Sequence, residues 1–158
     1  MFCECLGMGG NMLLNIGPDE HGNVPAEQVA LLETLGRWTT KHAEAIYGTI
    51  RGLPHGYTYN FTSMNKAKDT IYLYLTHVPK EATSIKGIHN DVTNVSIVGS
   101  GKACNHKRVG GARWLNVPGT LWIDIDEAEL DEYVTVLKIE LDGPLNLYGG
   151  EGVEIDAN

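Results

Sequence analysis

The chain has 158 residues, 42% of them hydrophobic, enough to bury the core of one ordinary domain. No segment approaches the eighteen or so apolar residues of a membrane span, and residues 1–10 show neither the basic nor the apolar region of a secretory signal. A formal charge of −8, from 12 Lys and Arg against 20 Asp and Glu, repels phosphate backbones and anionic bilayers alike, whereas a neutral partner such as a sugar or another protein suits it.

The first predicted element is a strand over 11–16, whose apolar run Met12–Ile16 is stopped by Gly17-Pro18. A polar turn over 19–23 follows. Pro25 then stands where a helix tolerates a residue without an N–H. From 26 to 41, Val29, Leu31, Leu32, Leu35 and Trp38 fall at helical spacing on one face. Glu27 in the first turn and Lys41 with His42 at the end suit the helix dipole. Beyond Gly48 the pattern changes: Gly52, Pro54 and Gly56 break the chain, and short strands are predicted at 57–62, 70–76, 84–88, 92–98, 107–109, 114–117, 120–125 and 134–141. In Thr70–Thr76 the alternation is strict, with Ile71, Leu73 and Leu75 on one face. Turn signals about every ten residues predict a mainly β fold, an antiparallel β-sandwich of seven or eight strands over 57–148. Residues 149–158 read as an acidic, Gly-rich tail. A lone strand and helix are half of a βαβ unit, and a parallel strand needs a neighbour. Residues 1–49 therefore read as the remnant of a larger unit whose remainder is expected upstream.

The run "GGNMLLNIGPDEHGNVPAEQVALLETLGRWTTKHAEAIYGT", residues 9–49, resembles the end of the catalytic (β/α)8 barrel in the α-L-fucosidases of glycoside hydrolase family 29. The resemblance rests on Gly9, Gly10, Asn11, Leu13 to Pro18, Pro25, Trp38 and Glu44 to Thr49. Downstream, "NVSIVGSG" at 94–101 and "VTVLKIELDGPL" at 134–145 resemble strands of that family's C-terminal β-sandwich. It implies retaining hydrolysis of terminal α-L-fucose, with an Asp nucleophile and a Glu acid/base about 5 Å apart. A complete barrel needs about 250 residues, however, and fewer than 50 precede the sandwich here. No segment matches the family's nucleophile or its fucose-binding histidines, so the chain alone is expected to be inactive.

Elsewhere in the chain, residue spacing argues against further sites. Cys3-x-Cys5 with Cys104-x-His106 could offer three thiolates and an imidazole to Zn²⁺, but this is no common zinc spacing and free thiols are the plainer reading. His21, His42, His55, His77, His89 and His106 are scattered and read as surface or capping groups. "DIDEAELDE" at 124–132 lacks the Ca²⁺-loop pattern and reads as a solvated acidic loop. Gly99-x-Gly101 and Gly110-Gly111 read as hairpin turns rather than phosphate loops, and no cofactor is implied. Two sequons, at Asn60 and Asn94, read as chance matches. Tyr57, Tyr59 and Phe61 share one face, as do Tyr72 and Tyr74. Paired, they would make an aromatic platform for a sugar; the competing expectation is that these rings pack beneath the helix. Trp122 and Trp114 are open to the same two readings.

Three functional readings follow. The chain is a C-terminal part of an α-L-fucosidase that braces the barrel, or a free-standing carbohydrate-binding or self-associating module derived from such an enzyme, with fucosylated glycans as candidate partners, or one chain of a split enzyme completed by a barrel-bearing partner. Without the barrel, an uncovered strand and apolar helix stripe predict self-association of this chain as a symmetric dimer through residues 11–40.

Overall fold

The structure, a computed structural model, describes residues 1–77, 79 and 82–149. The predicted tail thus lies outside the described residues except for Gly149. Eight strands form two antiparallel sheets. The larger contains β1 (Ile50–Arg51), β2 (Phe61–Met64), β3 (Thr70–Leu75), β8 (Thr135–Leu141) and β5 (Val92–Ile97), in that spatial order. The smaller contains β4 (Ala82–Ile85), β7 (Thr120–Asp124) and β6 (His106–Val109), with β7 in the middle. Between them lies the main core, built from Ile71, Leu73 and Leu75 of β3, Leu137, Ile139 and Leu141 of β8, Val95 and Ile97 of β5, and Ile85, Leu121 and Ile123 opposite. These are the inward residues of period-2 strands, the arrangement of a β-sandwich.

The other face of the larger sheet is also covered. Three helices lie there: α1 (Phe2–Gly7), α2 (Ala26–Lys41) and α3 (Ala43–Ile46). Cys3, Trp38 and Ala45 from the helices pack with Phe61, Tyr72, Tyr74 and Val136 from the sheet. Every residue of β3 is consequently buried. The approach is close: a Cβ on Gly52, just after β1, would lie 1.7 Å from the Thr62 carbonyl oxygen, so only glycine fits. Its N–H donates to the Gly7 carbonyl at the end of α1 (3.1 Å).

A sheet face with polar side chains can be buried only if its hydroxyls find partners. The Tyr74 hydroxyl donates to the Ala45 carbonyl of α3 at 2.6 Å. Ser63 Oγ lies 3.0 Å from that carbonyl and 2.8 Å from the Tyr74 hydroxyl. Tyr72 reaches Glu44 at 3.3 Å, and Lys138 pairs with the same carboxylate at 3.1 Å.

Several sequence expectations are corrected. The stretch 11–16 is not a strand: residues 10–19 belong to no helix or strand. A strand exists only with a pairing partner, and Leu13 is 93% exposed. The strand expected at 57–62 begins only at Phe61, because 55–60 turn. The register sets Phe61 against Tyr74 and Ser63 against Tyr72, so Tyr57 and Tyr59 do not pair beside Tyr72 and Tyr74. The strand expected at 114–117 is a single 3-10 turn over Arg113–Leu115, closed by a bridge between Ala112 and Val117. Helix α1 and the two-residue β1 are additions, too short for periodicity to reveal. Helix α2 spans the predicted 26–41.

Two outcomes follow from the helix–sheet layer. Tyr74→Phe removes a buried donor from the Ala45 carbonyl and is expected to cost about 1 kcal/mol, with Tyr72→Phe costing less because its acceptor is half exposed; urea unfolding with an unchanged m-value measures both. Burial raises the Cys3 thiol to about 11, so at pH 8 it is a neutral thiol and a poor nucleophile. Timed iodoacetamide labelling read by mass spectrometry is expected to modify Cys5 before Cys3.

Candidate functional site

Helix α2 is held at one end and uncovered at the other. At its C-terminal end, Trp38 and His42 are four residues apart and so share a face. The indole N–H of Trp38 donates to the Val134 carbonyl at 2.8 Å. His42 is fully buried, with Nδ1 2.9 Å from the Trp38 carbonyl and Nε2 3.0 Å from Asp131. Lys41 also pairs with Asp131, whose backbone N–H donates to Thr135 Oγ1 at 2.7 Å. The expected solvated acidic loop therefore has an anchoring carboxylate, and one of the six scattered histidines is a core residue. The clue available in sequence was the Trp38/His42 spacing on one helix face. Asp131, about ninety residues away, carried no local signal.

Towards its N-terminus the same helix buries no side chain. Leu31 is 61% exposed, and Val29 and Leu32 are open to solvent as well. The segment before the helix adds Leu13, Leu14 and Ile16, all exposed. Gln28 ties that segment to α2, accepting from the Gly17 N–H at 2.9 Å and donating to its carbonyl at 3.3 Å. An apolar groove of about 290 Å³ runs beside this face, between Phe2 and Cys3 of α1 and Leu31, Leu35 and Trp38 of α2.

The sequence candidates separate in space. Tyr72 and Tyr74 lie under the helices, with no ring face open to solvent. Tyr57 is half-buried and donates to the Tyr148 carbonyl at 2.8 Å. Tyr59 is exposed, with Lys86 Nζ 6.0 Å from its ring centre. Trp122 is part-exposed on the outer face of β7, between Ser84 and Lys107 of the flanking strands; Trp114 is exposed at a loop tip. The four proposed zinc ligands are not brought together. Cys3 packs on the helix side of the larger sheet, Cys104 against the core on its other side, and His106 sits on the exposed edge strand β6. Among the described residues, no three His, Cys, Asp or Glu side chains cluster so as to hold a metal ion.

Against known proteins, the family model described as Alpha-L-fucosidase matches residues 1–44. An α-L-fucosidase of Dictyostelium discoideum is 30% identical over 94 residues, which cover 58% of this chain and 20% of that protein. A putative α-L-fucosidase of Caenorhabditis elegans is 50% identical over 40 residues, 25% of this chain and 8% of that one. Among solved structures, the α-L-fucosidase from Vibrio sp. strain EJY3 shares the fold with a TM-score of 0.78 at 22% identity, over 93% of this chain and 26% of that one. The chain thus spans only a fifth or less of the curated relatives it matches. In sequence over its first part and in fold over most of its length, this chain matches the C-terminal region of the α-L-fucosidases of glycoside hydrolase family 29.

Proposed function

We propose that residues 1–158 form the C-terminal part of an α-L-fucosidase-like glycoside hydrolase and act there as a brace for a catalytic barrel. The carrying observation is the uncovered apolar face made by Leu13, Leu14, Ile16, Val29, Leu31 and Leu32. In this reading the barrel supplies the nucleophile and the acid/base for removal of terminal α-L-fucose, and these 158 residues supply neither. Their contribution is a rigid platform: the sandwich fixes the last turn of α2 through Trp38, His42 and Asp131, and α2 offers its apolar side to the barrel. The length of the relatives, several times that of this chain, supports a large covering domain as the occupant of that face.

Without that domain the same face is expected to pair with a second copy, burying apolar area non-directionally. Sedimentation of the 158-residue chain should show a reversible dimer at micromolar concentrations. Leu31→Lys with Leu32→Lys should weaken it at least roughly tenfold while leaving the melting temperature near that of the parent. A monomer at all concentrations would count against a face built to be covered. The chain is also expected to release no 4-nitrophenol from 4-nitrophenyl α-L-fucoside, and turnover by these residues alone would overturn the division of labour.

A further inference from the structure

On the sandwich, away from every residue of that apolar face, lies an open polar depression of about 640 Å³. Its lining includes His89, Leu115, Asn116, Asn146, Leu147 and Tyr148. We propose that it is a binding site for a neutral, polyhydroxylated ligand, a glycan chain.

The chemistry of the lining selects that class. Among the described residues, no Asp, Glu, Lys or Arg lines it, so the described lining offers no counter-charge to an anion or a metal cation. What it offers is two carboxamides, an imidazole and a phenol. Each carboxamide sets a donor beside an acceptor, which matches adjacent sugar hydroxyls. Among the described residues, these four side chains donate and accept no side-chain hydrogen bond, whereas the neighbouring Asn90 side chain engages Asp142, Gly143, Pro144 and Asn146. Leu115 and Leu147 are too few for an apolar ligand. Beside Leu115 and Asn116 stands Trp114, 84% exposed, a ring face suited to stacking on sugar C–H groups.

The depression is also preorganised, which lowers the ordering cost of binding. On one side Ile88 bridges Leu147, the His89 N–H donates to the Asn146 carbonyl (2.9 Å), and the Tyr148 N–H donates to the Gly87 carbonyl (2.8 Å). Arg108 clamps this ribbon from behind, donating to the carbonyls of Ile88 (2.5 Å) and Asn90 (2.6 Å). The His89 and Tyr148 rings meet edge to face at 5.9 Å, and Tyr57 supports the Tyr148 carbonyl. On the other side, the 112–117 loop is closed by reciprocal backbone bonds between Ala112 and Val117 (2.9 and 3.1 Å). Asn116 sits there at φ 53°, a left-handed conformation that asparagine accepts better than most residues.

The test is an NMR titration of the full chain with lactose, cellotetraose and 2′-fucosyllactose, each to tens of millimolar. At least one is expected to give saturable amide shifts confined to 86–90, 112–117 and 146–149. Trp114→Ala, Asn146→Ala and Asn116→Gly are each expected to weaken binding roughly tenfold with the melting temperature unchanged. Glycine is chosen at 116 because it keeps the positive φ. The proposal is overturned by the absence of a saturable shift with all three sugars, by shifts mapping elsewhere, or by all three variants binding as the parent does. The dimer and the aryl-fucoside assay report on the apolar face alone, so the two proposals fail separately.

Discussion

The larger sheet is buried on both faces, and the rest of the fold answers to that constraint. β2, β3 and β8 are its inner strands, and β3 and β8 must satisfy the sandwich on one side and the helices on the other. The sandwich side is solved with branched aliphatics, Ile71, Leu73, Leu137 and Ile139, all fully buried. The helix side carries Tyr72, Tyr74, Ser63 and Lys138, whose polar atoms lose water when the helices close over them. Each finds a partner on α3 or at its edge: the Ala45 carbonyl for Tyr74 and Ser63, Glu44 for Tyr72 and Lys138. That is why a helix of only four residues matters. Its buried Ala45 carbonyl is the acceptor that lets a tyrosine face become a core.

The strand pairing locks this layer in place from a distance. β8 enters between β3 and β5 with an unbroken register against β3, from Thr70 opposite Glu140 to Leu75 opposite Thr135. Residues just before β8 are those that grip α2: Asp131 through His42 and Lys41, and Val134 through Trp38. The end of the chain's last long loop therefore holds the first long helix, and the contact spans about ninety residues of sequence. Folding the sandwich and seating the helix are coupled for this reason. A change at Asp131 should be felt at the helix end, and one at Val136 in the layer between helices and sheet.

What could be read from the sequence follows the range of each interaction. Helix 26–41 and the strands near 70–75, 92–97, 120–124 and 135–141 were legible because their signals are local: periodicity, a Pro at the helix start, glycines at turns. The two faces of β3 were also legible as faces. Its tyrosine side, however, was open to two readings, because alternation alone does not say whether a polar side meets water or another layer. The strand expected at 11–16 failed on a non-local requirement, since an apolar run becomes a strand only beside another strand. The Asp131 anchor on His42 and the polar depression were illegible for the same reason. His89, Asn116 and Asn146 are far apart in sequence, and only the Ile88–Leu147 bridge and the 112–117 turn set them around one space.

Helix α2 shows how one amphipathic element can serve two partners. Its apolar stripe, Val29, Leu31, Leu32, Leu35 and Trp38, is longer than the sandwich can cover. The Trp38 end meets the sheet, while Leu32, Leu31 and Val29 are all exposed, Leu31 most of them. A helix needing only the sandwich would end its apolar stripe where the contact ends, since exposed leucines bring no stability to the isolated chain and raise its tendency to associate. The preceding segment, tied back to α2 through Gln28, points Leu13 into the same solvent. The surplus thus lies on two segments tied together through Gln28, on a helix held by the His42–Asp131 anchor. Burying that surplus is the work assigned to the covering domain in the proposed function, and the hydrophobic effect rewards it in proportion to the apolar area removed from water.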